Sequence, residues 1–389
     1  MIITRIGELL TLEGDGLGLR HNVSLRIEAG RVAEIIEGEC TGSDVLDAGG
    51  RLVTPGLIDP HTHLIFAGSR ADEFDRRARG QSYAEIAAAG GGISSTVRAT
   101  RAASDEELIG LALRRLDRFL QQGVVAVEAK SGYALSIDGE LRLLRLLKEV
   151  ARQHVVKVSA TLLAHVPPPD MERNEFVDRF IAEAIPQAAS EGLAEAVDVY
   201  CDAGAFTLEE SERILRSAQR HGLGVRVHAE QFTYTGAAEL GAQLAAWSVE
   251  HLEELSAAAP AALAASHTVC NLLPGAALTL GLPWPPARRL IEAGCRVALG
   301  TDCNPGSSLT ESLPLMMSLA CMQMKMSCQE VWRAVTVHAA HAISRDGGRL
   351  TVQQPANLAI WQVADHREVV QHYGSSLVEK VMIAGKWVL

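Results

Sequence analysis

Through the middle of the chain, short β-branched runs alternate with longer stretches in which apolar residues recur every three or four positions. The runs fall at 56–61, 124–128, 156–161, 196–200, 224–228, 247–251, 267–271 and 295–300. This alternation predicts parallel strands joined by crossover helices. Eight such units over roughly 250 residues match a closed (β/α)8 barrel. The helical stretches carry their own start and stop signals. Ser104-Asp-Glu-Glu107 and Thr207-Leu-Glu-Glu210 read as capping boxes, and Gly123 and Gly222 are placed to end those helices.

Residues 1–55 and 346–389 follow a shorter rhythm, with alternating segments such as Val23-Ser-Leu-Arg-Ile27 and Leu358-Ala-Ile-Trp361 punctuated by Gly and Asp. Neither end is long enough to stand alone as a sheet domain. The expectation is one small antiparallel β domain built from both termini, flanking a barrel at 56–345. Gly14-Asp-Gly-Leu-Gly18 neither follows a buried strand nor opens a helix, so it reads as a turn and not as a dinucleotide loop. The methionines from Met316 to Met326, near Cys321 and Cys328, read as a packed helix after strand eight.

Composition narrows the classes. The 389 residues are 48% hydrophobic and 21% charged, which is the globular range. A formal charge of −11 repels a phosphate backbone and argues against nucleic acid as a partner. No apolar run approaches the roughly 20 residues of a membrane helix, and Met1 to Leu10 lack a secretory pattern, so a cytoplasmic protein is expected. The seven cysteines form no CxxC and read as small buried hydrophobes. An acidic barrel with apolar helices is also compatible with a homodimer.

A parallel barrel builds its active site at the C-terminal ends of its strands, and here those ends are rich in ionisable residues. Strand one runs out into Asp59-Pro-His61-Thr-His63, strand three to His165, strand five to His228, strand six to His251 and strand eight to Thr301-Asp302. His61 and His63, two apart on an extended segment, face one side and can converge on one cation. His228 and Asp302 complete a three-imidazole, one-carboxylate set suited to zinc or iron, with a position left for water. His251 and Asp302 are the candidates to carry the proton of that water.

The segment Pro55-Gly-Leu-Ile-Asp-Pro-His-Thr-His63, with His228, His251 and Asp302 at the later strand ends, resembles the metal-dependent amidohydrolase superfamily. A narrower set of blocks, His61-Thr-His-Leu-Ile-Phe-Ala-Gly-Ser-Arg70, Ser82-Tyr83, Gly90 to Thr100, Lys130-Ser-Gly-Tyr133 and Thr301-Asp-Cys-Asn-Pro-Gly-Ser-Ser308, resembles its imidazolonepropionase family. The resemblance implies hydrolytic opening of 4-imidazolone-5-propanoate to N-formimino-L-glutamate, a step of histidine degradation, with one zinc or iron ion per subunit. It nominates Arg70 for the substrate carboxylate. Tyr83, Tyr133 and His165 are implied to contact ring and tail, with Asn304, Gly306 and Ser307 forming the strand-eight loop wall. In some members a glutamate three residues after the strand-five histidine moves a proton; this chain has Gln231 there, and an amide is no acid or base at ordinary pH. Either Glu230 substitutes, or Gln231 orients substrate while His251 and Asp302 handle protons. Lys130 follows strand two, not strand four, where dinuclear relatives place a bridging lysine, which favours a single metal. The rival readings are another cyclic amidohydrolase, a heterocycle deaminase or a metal-free scaffold.

Overall fold

The computed structural model describes residues 1–389 apart from 82–84 and 87–88, so the expectation for Tyr83 lies outside the described residues. Two eight-stranded sheets organise the chain. One is a run of parallel strands in sequence order: Leu57–Asp59, Val124–Lys130, Lys157–Ala164, Ala196–Cys201, Gly224–Ala229, Ser248–His251, Val269–Leu272 and Val297–Leu299. They are named barrel strands one to eight below. All eight coincide with the runs read from the sequence.

Strands one and eight meet beyond their regular ends. Thr62 and Cys303 form a parallel bridge there. The Asp302 N–H donates to the His61 carbonyl and the His63 N–H to the Cys303 carbonyl, each at 3.1 Å. Asp59 stitches the same seam, accepting from the Thr301 hydroxyl at 2.6 Å and the His61 N–H at 3.2 Å. Burial takes its carboxyl up to about 7 against those hydrogen bonds. The barrel is therefore closed by the segments that carry the candidate ligands.

The crossover helices start and stop as their sequences direct. Thr207 accepts from the Glu210 N–H at 3.2 Å while Glu210 accepts from the Thr207 N–H at 2.8 Å, a complete capping box for Leu208–Arg220. Ser104 caps Asp105–Gln121 by accepting from the Glu107 N–H. Gly123, at φ +84°, then turns the chain into strand two; a Cβ on it would lie within 3.3 to 3.6 Å of Val378, Trp361 and Ala359. Leu313–Met324 is the packed helix after strand eight, with Met316, Met317 and Met324 buried.

The second sheet takes strands from both ends of the chain, in the order Lys386–Trp387, Val378–Ile383, Leu358–Trp361, Leu52–Pro55, Ile2–Leu10, Leu19–Glu28 and Arg31–Glu37. Its pairings are antiparallel except that Ile2–Leu10 runs parallel to Leu52–Pro55 and to the short Val45–Asp47. Alternation along these strands buries one face into a separate apolar cluster that includes Ile3, Leu9, Val23, Leu25, Leu358 and Met382. The Gly14–Gly18 segment is a turn, closed by the Leu12 N–H to Leu17 carbonyl hydrogen bond.

Candidate active site

Five buried side chains converge at the C-terminal mouth of the barrel. His61, His63, His228, His251 and Asp302 are each no more than 3% exposed. Donor atoms of His61, His63 and Asp302 lie within 4.8 Å of one another, as do those of His61, His228 and His251. His61 is common to both groups. Its ring centroid is 4.7 Å from that of His228, and Asp302 Oδ1 is 3.4 Å from Nε2 of both His61 and His63.

Alternation along the strands explains His61, His63 and His228 but not the other two. On strand six, Glu250 points into the barrel, so its neighbour His251 would point out. A left-handed backbone at His251, φ +77°, and at Leu252, φ +73°, brings the imidazole back over the mouth. Asp302 likewise sits at φ +52°. Each such residue costs about 1 to 3 kcal/mol, a strain held here where side chains must be aimed.

The far sides of His228, His61 and His165 are held by fixed partners. Asp198 Oδ2 lies 2.9 Å from His228 Nδ1, Glu250 contacts His61 Nδ1, and the His165 Nδ1–H donates to the Gly132 carbonyl at 2.9 Å. Glu253 stands 3.7 Å from His251 Nδ1. Partners of this kind fix the ring and turn Nε2 toward the mouth. Burial takes His228 down to about 4 despite Asp198, and lowers His63. Burial opposes charge on His61 too, but Glu250 outweighs it and raises His61 to about 9. For Asp302, burial favours protonation, yet the hydrogen bonds from His61 and His63 outweigh it and hold the carboxyl well below its usual range.

These residues fit a metal ion. Nε2 of His228 is buried with no hydrogen-bond partner among the described residues, aimed at a space bounded by other imidazoles and an ionised carboxylate. An orphaned donor set of that composition suits zinc or iron.

A cleft of about 650 Å³ opens above the centre, lined by His63, His228, His251 and Asp302 on its floor. Tyr133, His165, Arg70 and Gln231 form its walls. Arg70 gives Nε and Nη2 to Glu73 Oε2 at 2.9 and 2.7 Å, while Nη1 lies against the backbone of Gly306, where a Cβ would come within 2.3 Å. Glycine at 306 thus makes room for the guanidinium. Burial and the neighbouring His63 and His228 take His165 down to about 3, leaving it neutral with a bare Nε2.

Three expectations change on inspection of the contacts. Glu230 is not brought to the cleft: with φ +59° its carboxylate accepts from the N–H groups of Thr235 at 2.6 Å and Ala238 at 3.1 Å, bracing the loop into Ala237–Gln243. That removes it from the proton carriers. Asn304 lines the cleft, but its amide donates to the Asp302 carbonyl and Ser307 Oγ and accepts from the N–H groups of Gly306 and Ser307. With every position of the amide engaged, Asn304 shapes the loop and has nothing left for a substrate. Ser307 donates to Asp302 Oδ2 at 3.1 Å, so it aims the carboxylate.

Sequence reasoning missed Tyr200, whose hydroxyl donates to Gln231 Oε1 at 3.0 Å, and the buried charges Glu128, Asp198, Arg226 and Glu250 beneath the mouth. The available signal was polar residues two apart in otherwise apolar strands, Glu128 with Lys130 and Arg226 with His228, which share the inward face.

Comparison with known proteins agrees with this architecture. Residues 52–388 match the amidohydrolase family. The imidazolonepropionase of Deinococcus radiodurans is 46% identical over 89% of this chain and 86% of its own length. That of Bacillus velezensis is 40% identical over 100% of this chain and 96% of its own. Among solved structures, a 5-methylcytosine deaminase from Klebsiella pneumoniae bound to phosphonocytosine superposes with a TM-score of 0.79 at 20% identity, covering 100% of this chain and 98% of that one. A variant of atrazine chlorohydrolase from Arthrobacter aurescens, complexed with zinc and atraton, gives 0.75 at 16% identity, covering 100% and 95%. The shared fold is thus compatible with several substrates, while both of these sequence relatives carry one activity in their names. The chain belongs to the imidazolonepropionases, hydrolases of the amidohydrolase superfamily.

Proposed function

We propose that this chain hydrolyses 4-imidazolone-5-propanoate to N-formimino-L-glutamate, with one zinc or iron ion held by His61, His63, His228 and Asp302. The observation that carries this reading is that Arg70 lines the same cleft as the converging ionisable side chains. A substrate with a reactive ring and a carboxylate tail fits such a two-ended site.

Bound there, the ion supplies Lewis acidity, lowering the pKa of water and polarising a carbonyl. The remaining work belongs to the chain. Asp302, ionised and aimed by Ser307, accepts the proton of the attacking water. The carbonyl carbon gains the hydroxyl, the ring C–N bond breaks, and the departing nitrogen takes up the proton that Asp302 accepted, passed on by His251 at the same mouth. Tyr200 fixes Gln231 by occupying its carbonyl oxygen, so the Gln231 N–H groups face the cleft as donors to the ring. His165, neutral with its proton on Nδ1, offers Nε2 to a ring N–H. The Nη1 end of Arg70 meets the propanoate.

The test is loss of imidazolone absorbance on adding freshly generated substrate, with and without a chelator and beside Arg70→Ala. Metal-dependent turnover that falls at least about 30-fold in kcat/KM for Arg70→Ala is expected from losing one charge-assisted contact of about 2 kcal/mol. A metal-replete enzyme with no turnover would discard this substrate and direct the search to other cyclic amides and heterocyclic amines.

A further inference from the structure

Directly below the mouth, where a parallel barrel ordinarily packs branched apolar side chains, this one buries a cluster of charge. Lys130, Glu128, Asp198, Arg226 and Glu250 have no exposed surface. The Lys130 ammonium sits between three carboxylates supplied by strands two, four and six: Glu128 Oε1 at 3.0 Å, Asp198 Oδ2 at 2.7 Å and Glu250 Oε2 at 3.2 Å. Arg226 lies farther out, 3.7 Å from Glu250 and 3.8 Å from Glu128. Two of the three carboxylates also hold the candidate metal ligands, Asp198 on His228 and Glu250 on His61.

The donor atoms of Asp198, His228 and Glu250 lie within 4.8 Å of one another, close enough to share a divalent ion. The cradle therefore has the oxygen donors and dimensions of a cation site, and the atom inside it is the Lys130 nitrogen. Burial disfavours a charged amine, but the three carboxylates outweigh it and keep Lys130 protonated. Counting formal charges, three carboxylates face two cations; without Lys130 the excess would be two negative charges in a site closed to water, which is costly unless a cation replaces it.

We propose that the Lys130 ammonium is a built-in cation that occupies a second metal position, and that it thereby limits the centre to one ion while anchoring the carboxylates that orient His61 and His228. Lys130 is a positioning residue, acting on the ion through Asp198 and Glu250. The proposal rests on the reading of His61, His63, His228 and Asp302 as the holders of one ion.

The experiment counts zinc retained through gel filtration and measures its affinity by chelator competition, for the whole chain and three variants. The unaltered chain in excess zinc is expected to retain one ion. Lys130→Ala, which opens the cradle, is expected to retain two, with the second lost again in the Lys130→Ala/Asp198→Asn double variant. Lys130→Met fills the space without charge; it is expected to retain one ion with an affinity reduced about 10- to 100-fold, the usual cost of disturbing the residues behind metal ligands. Two ions in the unaltered chain would overturn the proposal together with the single-metal reading, whereas one ion bound by Lys130→Ala and by Lys130→Met as tightly as by the unaltered chain would overturn the proposal alone. No ion in the unaltered chain would overturn both. If Lys130→Ala folds only in the presence of zinc, with two ions retained, the cradle has taken the replacement cation as proposed; if it stays unfolded with zinc present, the proposal is overturned.

Discussion

The terminal sheet and the barrel interior bury side chains of opposite kinds. In the sheet, Ile3, Leu9, Val23, Leu25 and Leu358 meet across a face with no ionisable group among them, and the stabilisation comes from apolar area removed from water, about 25 cal/mol per Å². In the barrel the axis is filled by Glu128, Lys130, Asp198, Arg226 and Glu250, ending upward in four histidines and Asp302. Buried ion pairs contribute little net stability, because desolvation cancels most of their attraction. The first region is built to hold the fold, and the second spends stability on aiming imidazoles. Substitutions in the two should separate those functions.

The largest effect is expected at Asp302. Asp302→Asn keeps the shape and the contact to Ser307 but removes the charge that faces His61 and His63. kcat should fall by about 10³ or more, the scale of losing a general base. A fall of less than about tenfold in metal-loaded protein would take the base role from Asp302. Leu25→Ala in the terminal sheet should do the reverse, costing about 2 to 5 kcal/mol in urea unfolding as a core truncation does, with kcat/KM and metal content of the folded protein unchanged. Lost metal in that variant would show that the two regions are not separable.

The same contrast explains what the sequence disclosed. Strand positions were legible because Val124–Lys130 and its counterparts are short, β-branched and regularly spaced, and His61, His63 and His228 follow from period-two alternation at their ends. His251 was legible as a strand end, but its aim depends on two consecutive left-handed residues that no local pattern announces. Glu230 and Gln231 show the limit most clearly: they are chain neighbours of one polarity class, and only the backbone turn at Glu230 sends one carboxylate into a loop brace and the other side chain into the cleft. Asn304 belongs to a motif that looks like a binding loop, and its hydrogen bonds spend it on building that loop.

A third substitution tests whether the carboxylate partners matter, using an imidazole that lacks one. His338, on Val337–Ala342, is half-buried, and its Nδ1 meets the Val297 carbonyl, at 2.9 Å. Burial lowers it from 6.5 to about 4 against that hydrogen bond. Because the folded state resists protonation, the unfolded chain takes up the proton first, so stability is full above pH 6.5 and is lost as pH falls toward 4. At about 1.4 kcal/mol per unit the loss reaches about 3 kcal/mol. His338→Gln, which keeps a donor for Val297, should flatten that loss in urea midpoints measured at pH 7 and 4. Equal losses in both proteins would mean that the imidazole is protonated in place.

The smallest expected effect decides how Arg70 is used. Glu73 accepts two hydrogen bonds from Arg70 through Oε2 and one from the Gly92 N–H through Oε1, at 3.0 Å. One consequence of that pairing is that it neutralises the guanidinium, so that the propanoate competes with Glu73; the other is that it locks the guanidinium by its Nε edge and presents the Nη1 end over Gly306. The geometry favours the second, since the atoms engaged by Glu73 lie on the edge opposite the end that Gly306 makes room for. Glu73→Gln retains one acceptor and loses the charge. If Glu73 orients Arg70, KM rises about tenfold, the equivalent of about 1.4 kcal/mol, while kcat moves less than about twofold because the reacting end of the cleft is untouched. A fall in KM would show instead that Glu73 holds back the charge of Arg70, and the carboxylate at this end of the cleft would then be a restraint on affinity, unlike those at the other end, which serve the ligands they touch.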